Sequence, residues 1–490
     1  MKQLLSALLI LTVFNHNVNC ATLHVGTAYA LKLLTDATSI AQPGDTIICH
    51  NATMTGGMYI ENLQGSANKW IYIMAEPGKT VTIQGGNNSI QMSDCAYLHI
   101  EGFTIQGQTG NGLNIDDGGS FASPTNHIRI VNVKFQNINA SGNNDFLKLS
   151  GLDHFEIYHC SFLNGAAGGS GIDMVGCHFG MIYENNFKNL GSNSIQAKGG
   201  TSDLEILRNQ FDNGGARALN LGGSTDLQFF RPQNATTEAE RIKVIANVIQ
   251  GSEAPVAFVG SRQVEVSNNT ILYPKKWVMR ILQETVDPTR FLPCGDNSFY
   301  NNIIVVDNNV NTEVNIGPDT APETFEFSNN MWYKSTNANW SGPTLPGTKI
   351  NQWVDNPEIQ SGSTYILSNS SPAIGLGIAY TMLKKDIVGN YFNAHPSLGA
   401  YEANPLSTQV KNIADDVAIY PNPFEHELNI SFDSDEPTWI TLVNLEGRVV
   451  SRQIKKEQTH QIQSELLPSG IYFVVMEWGT ERIVRMVVKK

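Results

Sequence analysis

Between about residue 98 and residue 332 the chain repeats one pattern: two apolar residues alternate with polar ones, a short polar turn follows, and another apolar residue closes the unit. One copy reads Leu204-Glu205-Ile206-Leu207-Arg208-Asn209-Gln210-Phe211, and another reads Val264-Glu265-Val266-Ser267-Asn268-Asn269-Thr270-Ile271. Aligned on this pattern, the turn carries Asn185, Asn209, Asn247, Asn269, Asn302 and Asn330 in successive copies, after Phe103, Val133 and Cys160 in earlier ones. The gaps from Asn185 to Asn330 are 24, 38, 22, 33 and 28 residues. A period of about 22–25 residues with occasional insertions is a stacking repeat, because a unit that short cannot bury a core alone. Its period-2 alternation makes the elements strands. The expected architecture is all-β: a right-handed parallel β-helix whose Asn side chains hydrogen-bond along an internal ladder.

After each turn comes a further strand: Leu113–Asp116, Leu147–Ser150, Ile172–Val175, Ile195–Lys198, Leu219–Gly222, Val256–Val259, Met279–Leu282 and Val314–Gly317. Apolar residues at the first and third places point inward, so the second and fourth point outward. The second places form the row Asn114, Lys148, Asp173, Gln196, Asn220, Ala257, Arg280, Asn315, and the fourth places add Asp116 and Lys198. With strands about 4.8 Å apart, Lys148, Asp173 and Lys198 are expected within about 10 Å of one another. Arg217 opens its strand beside Lys198, the loop from Thr225 to Arg231 adds aromatics, and Trp277, Arg280, Gln283 and Glu284 follow two coils on. A strip rich in amides, carrying both signs of charge, suits a hydroxyl-rich ligand.

Three readings of that strip follow. Cleaving a uronate by β-elimination needs a cation for the carboxylate, a base for the C5 proton and an acid for the leaving oxygen. The candidate catalytic residues are Lys198, Arg217, Arg280, Lys148 and Asp173; Asn114, Gln196, Asn220, Arg231, Trp277, Gln283 and Glu284 are candidates for substrate binding. In setting a Lys on one coil and an Arg on the next, the chain resembles β-helix polysaccharide lyases of the alginate lyase and chondroitinase B group, and more broadly the pectin-lyase-like β-helices. The family's Arg would fall near Asn220 or Leu221, however, and Arg217 is offset from it. The resemblance implies Lys198 as base and arginines as neutralisers. It also admits calcium, for which Asp116, Asp117, Asp145 and Asp173 could supply oxygens. A second reading is a sugar-binding or adhesion protein without catalysis. The third is a polygalacturonase-like hydrolase, suggested by Asp116-Asp117 and Arg241-Ile242-Lys243; yet Ile242 should point inward, and no Gly-His-Gly follows Asp117. His154, His159 and His178 have no evident Ser or Cys partner for nucleophilic catalysis.

The flanks read differently. Residues 1–20 resemble a secretory signal peptide: Lys2, an apolar run from Leu4 to Phe14, and Val18-Asn19-Cys20 before Ala21. A lipoprotein signal acylated at Cys20 is the rival, poorly served by Asn17 and Asn19. Apolar residues at helical spacing (Leu31, Leu34, Ala37, Ile40) predict a short helix capping the open end of the solenoid. Long insertions at 224–240 and 284–296 should emerge as loops on one face. Residues 336–403 lose the repeat, and their motifs from Asp355-Asn356-Pro357 to Leu398-Gly399-Ala400-Tyr401-Glu402 resemble the endings of many bacterial secreted β-helix proteins. Residues 21–403 are thus expected to be the β-helix, 404–417 a linker, and 418–490 a small immunoglobulin-like β-sandwich. In that last segment Tyr420-Pro421-Asn422-Pro423-Phe424 precedes short alternating strands and Leu467-Pro468-Ser469-Gly470-Ile471-Tyr472-Phe473. This order resembles the type A C-terminal sorting domain of the type IX secretion system. The resemblance implies a Bacteroidetes-type bacterium, passage through the outer membrane and a tail removed on export.

Composition narrows the partners. A formal net charge of −13 over 490 residues, with no basic stripe, argues against nucleic acid. Beyond the N-terminal segment no run is long and apolar enough to span a bilayer. Five cysteines follow Cys20 without metal-like spacing, which predicts no structural zinc and at most one or two disulfides; Cys160, in the ladder position, is expected to be a buried thiol.

Overall fold

The computed structural model describes residues 20–142, 144–360, 365–379 and 385–403, together with the strands and some of the turns of 418–490. Residues 1–19, within the expected signal peptide, and 404–417, the expected linker, lie outside the described residues. The chain divides into two compact units, one ending at Ala403 and the other beginning at Asn404.

The first unit is a parallel β-helix. In one representative coil, Thr201–Leu207, Gln210–Gly214 and Arg217–Gly222 are consecutive strands. Each pairs in parallel with its counterpart one coil on: Leu204 with Ile242, Phe211 with Ile249, Leu219 with Val256. The period-2 alternation sends Ile195, Leu219, Val256 and Met279 into a core from which water is excluded, each 0% exposed. The third strand of every coil joins a ten-stranded parallel sheet that begins at Met58–Glu61 and ends at Val314–Ile316.

The corner between the first two strands turns on a left-handed residue: Glu184, Arg208, Ala246, Asn268, Asn301 and Asn329 have φ between 51° and 57°. The ladder asparagine follows each of them, one place after the strained residue. Asn209 Nδ2 donates to Asn247 Oδ1 at 3.0 Å, and the Asn209 main-chain N–H donates to the same oxygen at 2.8 Å. The same pair of bonds links Asn185 to Asn209, Asn247 to Asn269, Asn269 to Asn302 and Asn302 to Asn330. The ladder starts at Cys160, a buried thiol whose main-chain N–H donates to Asn185 Oδ1 at 2.9 Å. Two places on, Phe135, Phe162, Phe187 and Phe211 stack face to face, with centroids 4.7–4.9 Å apart. Each such aromatic pair adds about 0.5–1.5 kcal/mol beyond the area it buries.

A helix, Leu34–Thr38, caps the N-terminal end with Leu34 and Ala37 buried, while Ile40 stays half exposed outside it. After the strand Thr348–Val354, residues 365–379 and 385–403 pack beside the strands of the corner. Asn268 Nδ2 reaches Ser397 O, Asn301 Nδ2 reaches Ile378 O, and Leu367 and Leu398 join Leu272, Ile303 and Met331 in a satellite core. All six cysteines are free thiols, five of them buried. Among the described residues no helix is long and apolar enough to cross a membrane.

The second unit pairs its strands antiparallel. Ala418–Tyr420, Glu427–Ser431 and Thr459–Gln463 form one sheet; Thr438–Asn444, Val449–Lys455, Gly470–Trp478 and Glu481–Lys489 form the other. Alternating residues from both sheets (Leu428, Ile430, Ile440, Leu442, Val474, Met476) meet in one core around Phe424. This is a small β-sandwich.

Candidate functional site

The ten-stranded sheet carries the outward row in the register read from the sequence. Asn114 pairs with Lys148, Lys148 with Asp173, Asp173 with Gln196, Gln196 with Asn220, Asn220 with Ala257, Ala257 with Arg280, and Arg280 with Asn315. Gln91 and Tyr59 extend the row toward the N-terminus.

At its centre Lys148 Nζ hydrogen-bonds Asp173 Oδ2 and lies 3.8 Å from Asp145 Oδ2, while Lys198 Nζ lies 3.7 Å from Asp173 Oδ1. Both carboxylates are about 1% exposed, yet Asp145 Oδ2 and Asp173 Oδ1 accept no hydrogen bond. Burial and the neighbouring Asp173 push the Asp145 carboxyl up to about 7, against the pull of Lys148, the Ser170 N–H and Lys198. Burial works against the Lys148 ammonium, but Asp173 and Asp145 outweigh it and raise its pKa, so Lys148 is held as a cation.

Over this cluster opens a cleft of about 580 Å³, lined by Lys148, Lys198, Asp116, Asp117, Phe121 and Phe229 among others. Phe121 and Phe229 stand in its walls 47% and 54% exposed, an arrangement that suits stacking against sugar rings. The wall carrying Phe229 is the 224–240 insertion, and three features fix it. Glu238, wholly buried, accepts from the Gly199 N–H at 2.8 Å, from the Thr225 N–H at 3.0 Å, and from the hydroxyls of Thr225 and Thr285. Arg231 grips Asp153 through both terminal nitrogens, at 2.7 and 2.8 Å, and donates to Gly176 O. Burial would raise the Asp153 carboxyl, but its bonds to Arg231 and His178 hold it well below the usual carboxylate range. Gly200 (φ 87°) lets the loop close, since a Cβ there would sit 2.5 Å from Arg231 O.

The other candidates fall elsewhere. The sequence reading set Arg217 beside Lys198; the register pairs it with Asn193, at the opposite end of the neighbouring strand. With about 3.3 Å per residue and 4.8 Å per strand, the two backbones are about 17 Å apart. Arg217 donates to Glu284 Oε1 at 2.7 Å and Asn220 Oδ1 at 3.0 Å. Arg280 lies three strands from Gln196, donates to Asn315 Oδ1 at 2.9 Å, and packs over the Trp277 ring at 4.7 Å. Gln283 is engaged at both ends, accepting from the Cys294 N–H and donating to Thr285 O, and Arg231 is spent on Asp153. Asn114 and Asp116 are tied together with Gln91. Arg241 pairs with Asp203 and Glu240 on another face, and Ile242 is buried. Calcium does not fit the four aspartates. Among the described residues no group of three or more His, Cys, Asp or Glu side chains converges, and Lys148 already stands between Asp145 and Asp173.

Sequence reasoning missed Phe121, Asp153, Glu238 and the part Asp145 plays. Phe121 left one signal, a lone aromatic in Gly118-Gly119-Ser120-Phe121; Glu238 left only its place at the end of an insertion.

Residues 418–490 match the family described as the secretion system C-terminal sorting domain. No curated protein matches the chain by sequence. Among solved structures, pectate lyase Pel9A is similar with a TM-score of 0.52 and 12% identity, over 79% of this chain and 98% of that one. An alginate lyase from Paenibacillus sp. str. FPU-7 gives 0.39 and 13%, over 63% of this chain and 99% of its own. The PL6 family alginate lyase AlyGC gives 0.39 and 15%, over 83% and 60%. The likeness to Pel9A shows a shared fold. The tail marks the chain for export by type IX secretion to the cell surface or the extracellular space.

Proposed function

We propose that this exported β-helix is a polysaccharide lyase that cleaves a uronate-containing glycan by β-elimination in the cleft over Lys198. A shared fold hosts many functions, so the reading takes its reaction class from the site. The observation that carries it is the placing of two lysines, one of them held as a cation, between two exposed aromatic walls above buried carboxylates. In this reading the Lys148 ammonium faces the uronate carboxylate and Lys198 Nζ, acting as the free amine, takes the C5 proton and becomes the ammonium. The electron pair of that C–H bond forms the C4–C5 double bond as the C4–O bond breaks. Asp117, whose carboxyl is raised by burial and which lines the same cleft, supplies the proton to the departing oxygen. Asp173 and Asp145 hold Lys148 in place.

The test is ultraviolet absorbance of unsaturated products from alginate, pectate, chondroitin and heparinoids, with the parent beside Lys198→Ala. Loss of a general base should cut turnover about a hundredfold or more. Silence across the panel, or full turnover by the variant, refutes the reading. A sugar-binding protein without catalysis is the second reading. It is favoured by one observation: Arg217 is consumed by Glu284, and Arg231, which lines the same cleft as Lys198, is spent on Asp153. Retention of a polymer on an affinity gel without absorbance change would establish it.

A further inference from the structure

Three strands past Gln196 the sheet face becomes cationic. Arg280 and the exposed Lys276 pack against the Trp277 ring at 4.7 and 4.2 Å, with Arg217 close by. Arg217 is answered by Glu284, and Glu253 lies within electrostatic reach of Arg280. Arg280 itself pairs with no carboxylate among the described residues. Among the described residues its one hydrogen bond to protein is from Nε to Asn315, so neither terminal nitrogen of the guanidinium is committed to any of them. Burial and Arg217 both work against its charge. A half-buried guanidinium fixed by an amide and a ring, with its donor fork open, is built to receive an oxyanion. From the register, its backbone stands about 16 Å from that of Lys198, three strands across and two residues along, too far to neutralise the carboxylate of the sugar at Lys198.

We infer that Arg280, with Lys276 and Trp277, forms a separate subsite for a carboxylate several sugars away along the same chain, so that the sheet selects a polymer bearing acid groups at intervals. This deepens the proposed function and rests on a glycan lying along the ten-stranded sheet. It assigns Arg280 to recognition, where the sequence had offered it as a neutraliser in catalysis. The Lys198 cluster and the Arg280 subsite then read two acid groups of one chain, and a disaccharide reaches only one of them.

The experiment is affinity electrophoresis of the full chain against polygalacturonate, polymannuronate and chondroitin, and against each polymer after carboxyl reduction. Arg280→Gln should weaken retention by a retained polyuronate about tenfold, the scale of a lost charge-assisted hydrogen bond, and leave any retention by the reduced polymer unchanged. Lys276→Glu, an exposed substitution that does not touch the core, should act in the same direction. Turnover by the parent separates the two proposals: retention that depends on Arg280, with no turnover by the parent, sinks the lyase reading and leaves the subsite standing. Equal retention of acidic and reduced polymers, unchanged retention in both charge variants, or no retention of any polyuronate by the parent overturns the inference.

Discussion

In the corner ladder, Asn247 Oδ1 accepts from both the main chain and the side chain of Asn209, and its own Nδ2 donates to Asn269 and to Ile206 O. On the ten-stranded sheet Asp173 is as deeply buried, but its Oδ1 meets no donor, and Asp145 Oδ2 is in the same state. Both regions stack polar side chains one coil apart, and the difference lies in the chemistry of what is stacked. An amide carries donors and an acceptor, so a copy of itself at the strand spacing is a satisfying partner, and the ladder propagates without loss. A carboxylate carries only acceptors, and the next coil must supply a different residue. Where lysines do this incompletely, the fold carries unsatisfied oxygens at about 1–3 kcal/mol each. A solenoid that could have used amides there keeps the charges, which is where function is expected.

Four single substitutions distinguish the amide ladder and the charged cluster. The largest effect is expected from Lys148→Met, which leaves two buried carboxylates without their closest cation. Denaturant unfolding should show a loss of about 3–5 kcal/mol, and adding Asp173→Leu should recover most of it. A single variant as stable as the parent would mean that the cluster does not depend on its cation. Next comes Asn247→Leu, which strands the N–H groups of Asn209 and the carbonyl of Ile206. It should cost about 2–4 kcal/mol in the same measurement, with no rescue by a second apolar substitution at one neighbour.

A third effect depends on pH. The Asp145 carboxyl sits near 7 in the folded chain and at its ordinary value of 3.8 otherwise, so the folded state holds a proton that the unfolded state has released. The stability from this group is complete below about pH 4 and is lost as pH rises toward about 7. Asp145→Asn, which keeps an oxygen for the Ser170 N–H, should therefore gain on the parent across that interval and hold a constant lead above it. A difference between the two that stays constant from about pH 4 to about pH 7 would show that Asp145 is charged throughout. The smallest effect on stability belongs to Phe229→Ala. Because the ring is 54% exposed, the unfolding free energy should change by no more than about 0.5 kcal/mol, while glycan retention weakens several-fold.

The repeat was readable because a parallel solenoid writes its geometry into the chain. Alternation fixes which residues face inward, and a constant strand spacing fixes which residues meet across coils. From this alone came the ladder from Asn185 to Asn330, the row from Asn114 to Asn315, and the meeting of Lys148, Asp173 and Lys198. The sandwich tail was legible for a similar reason, since short strands and turns follow one another locally. The path of an insertion and the partner of a long side chain are set by contacts between distant residues, and no local pattern encodes them. Tertiary structure paired Arg217 with Glu284 across 67 residues and Arg231 with Asp153 across 78, and it closed Thr225 and Thr285 onto one buried Glu238. It also raised the Asp145 carboxyl, because desolvation depends on what covers a group, and the cover arrives from elsewhere in the chain.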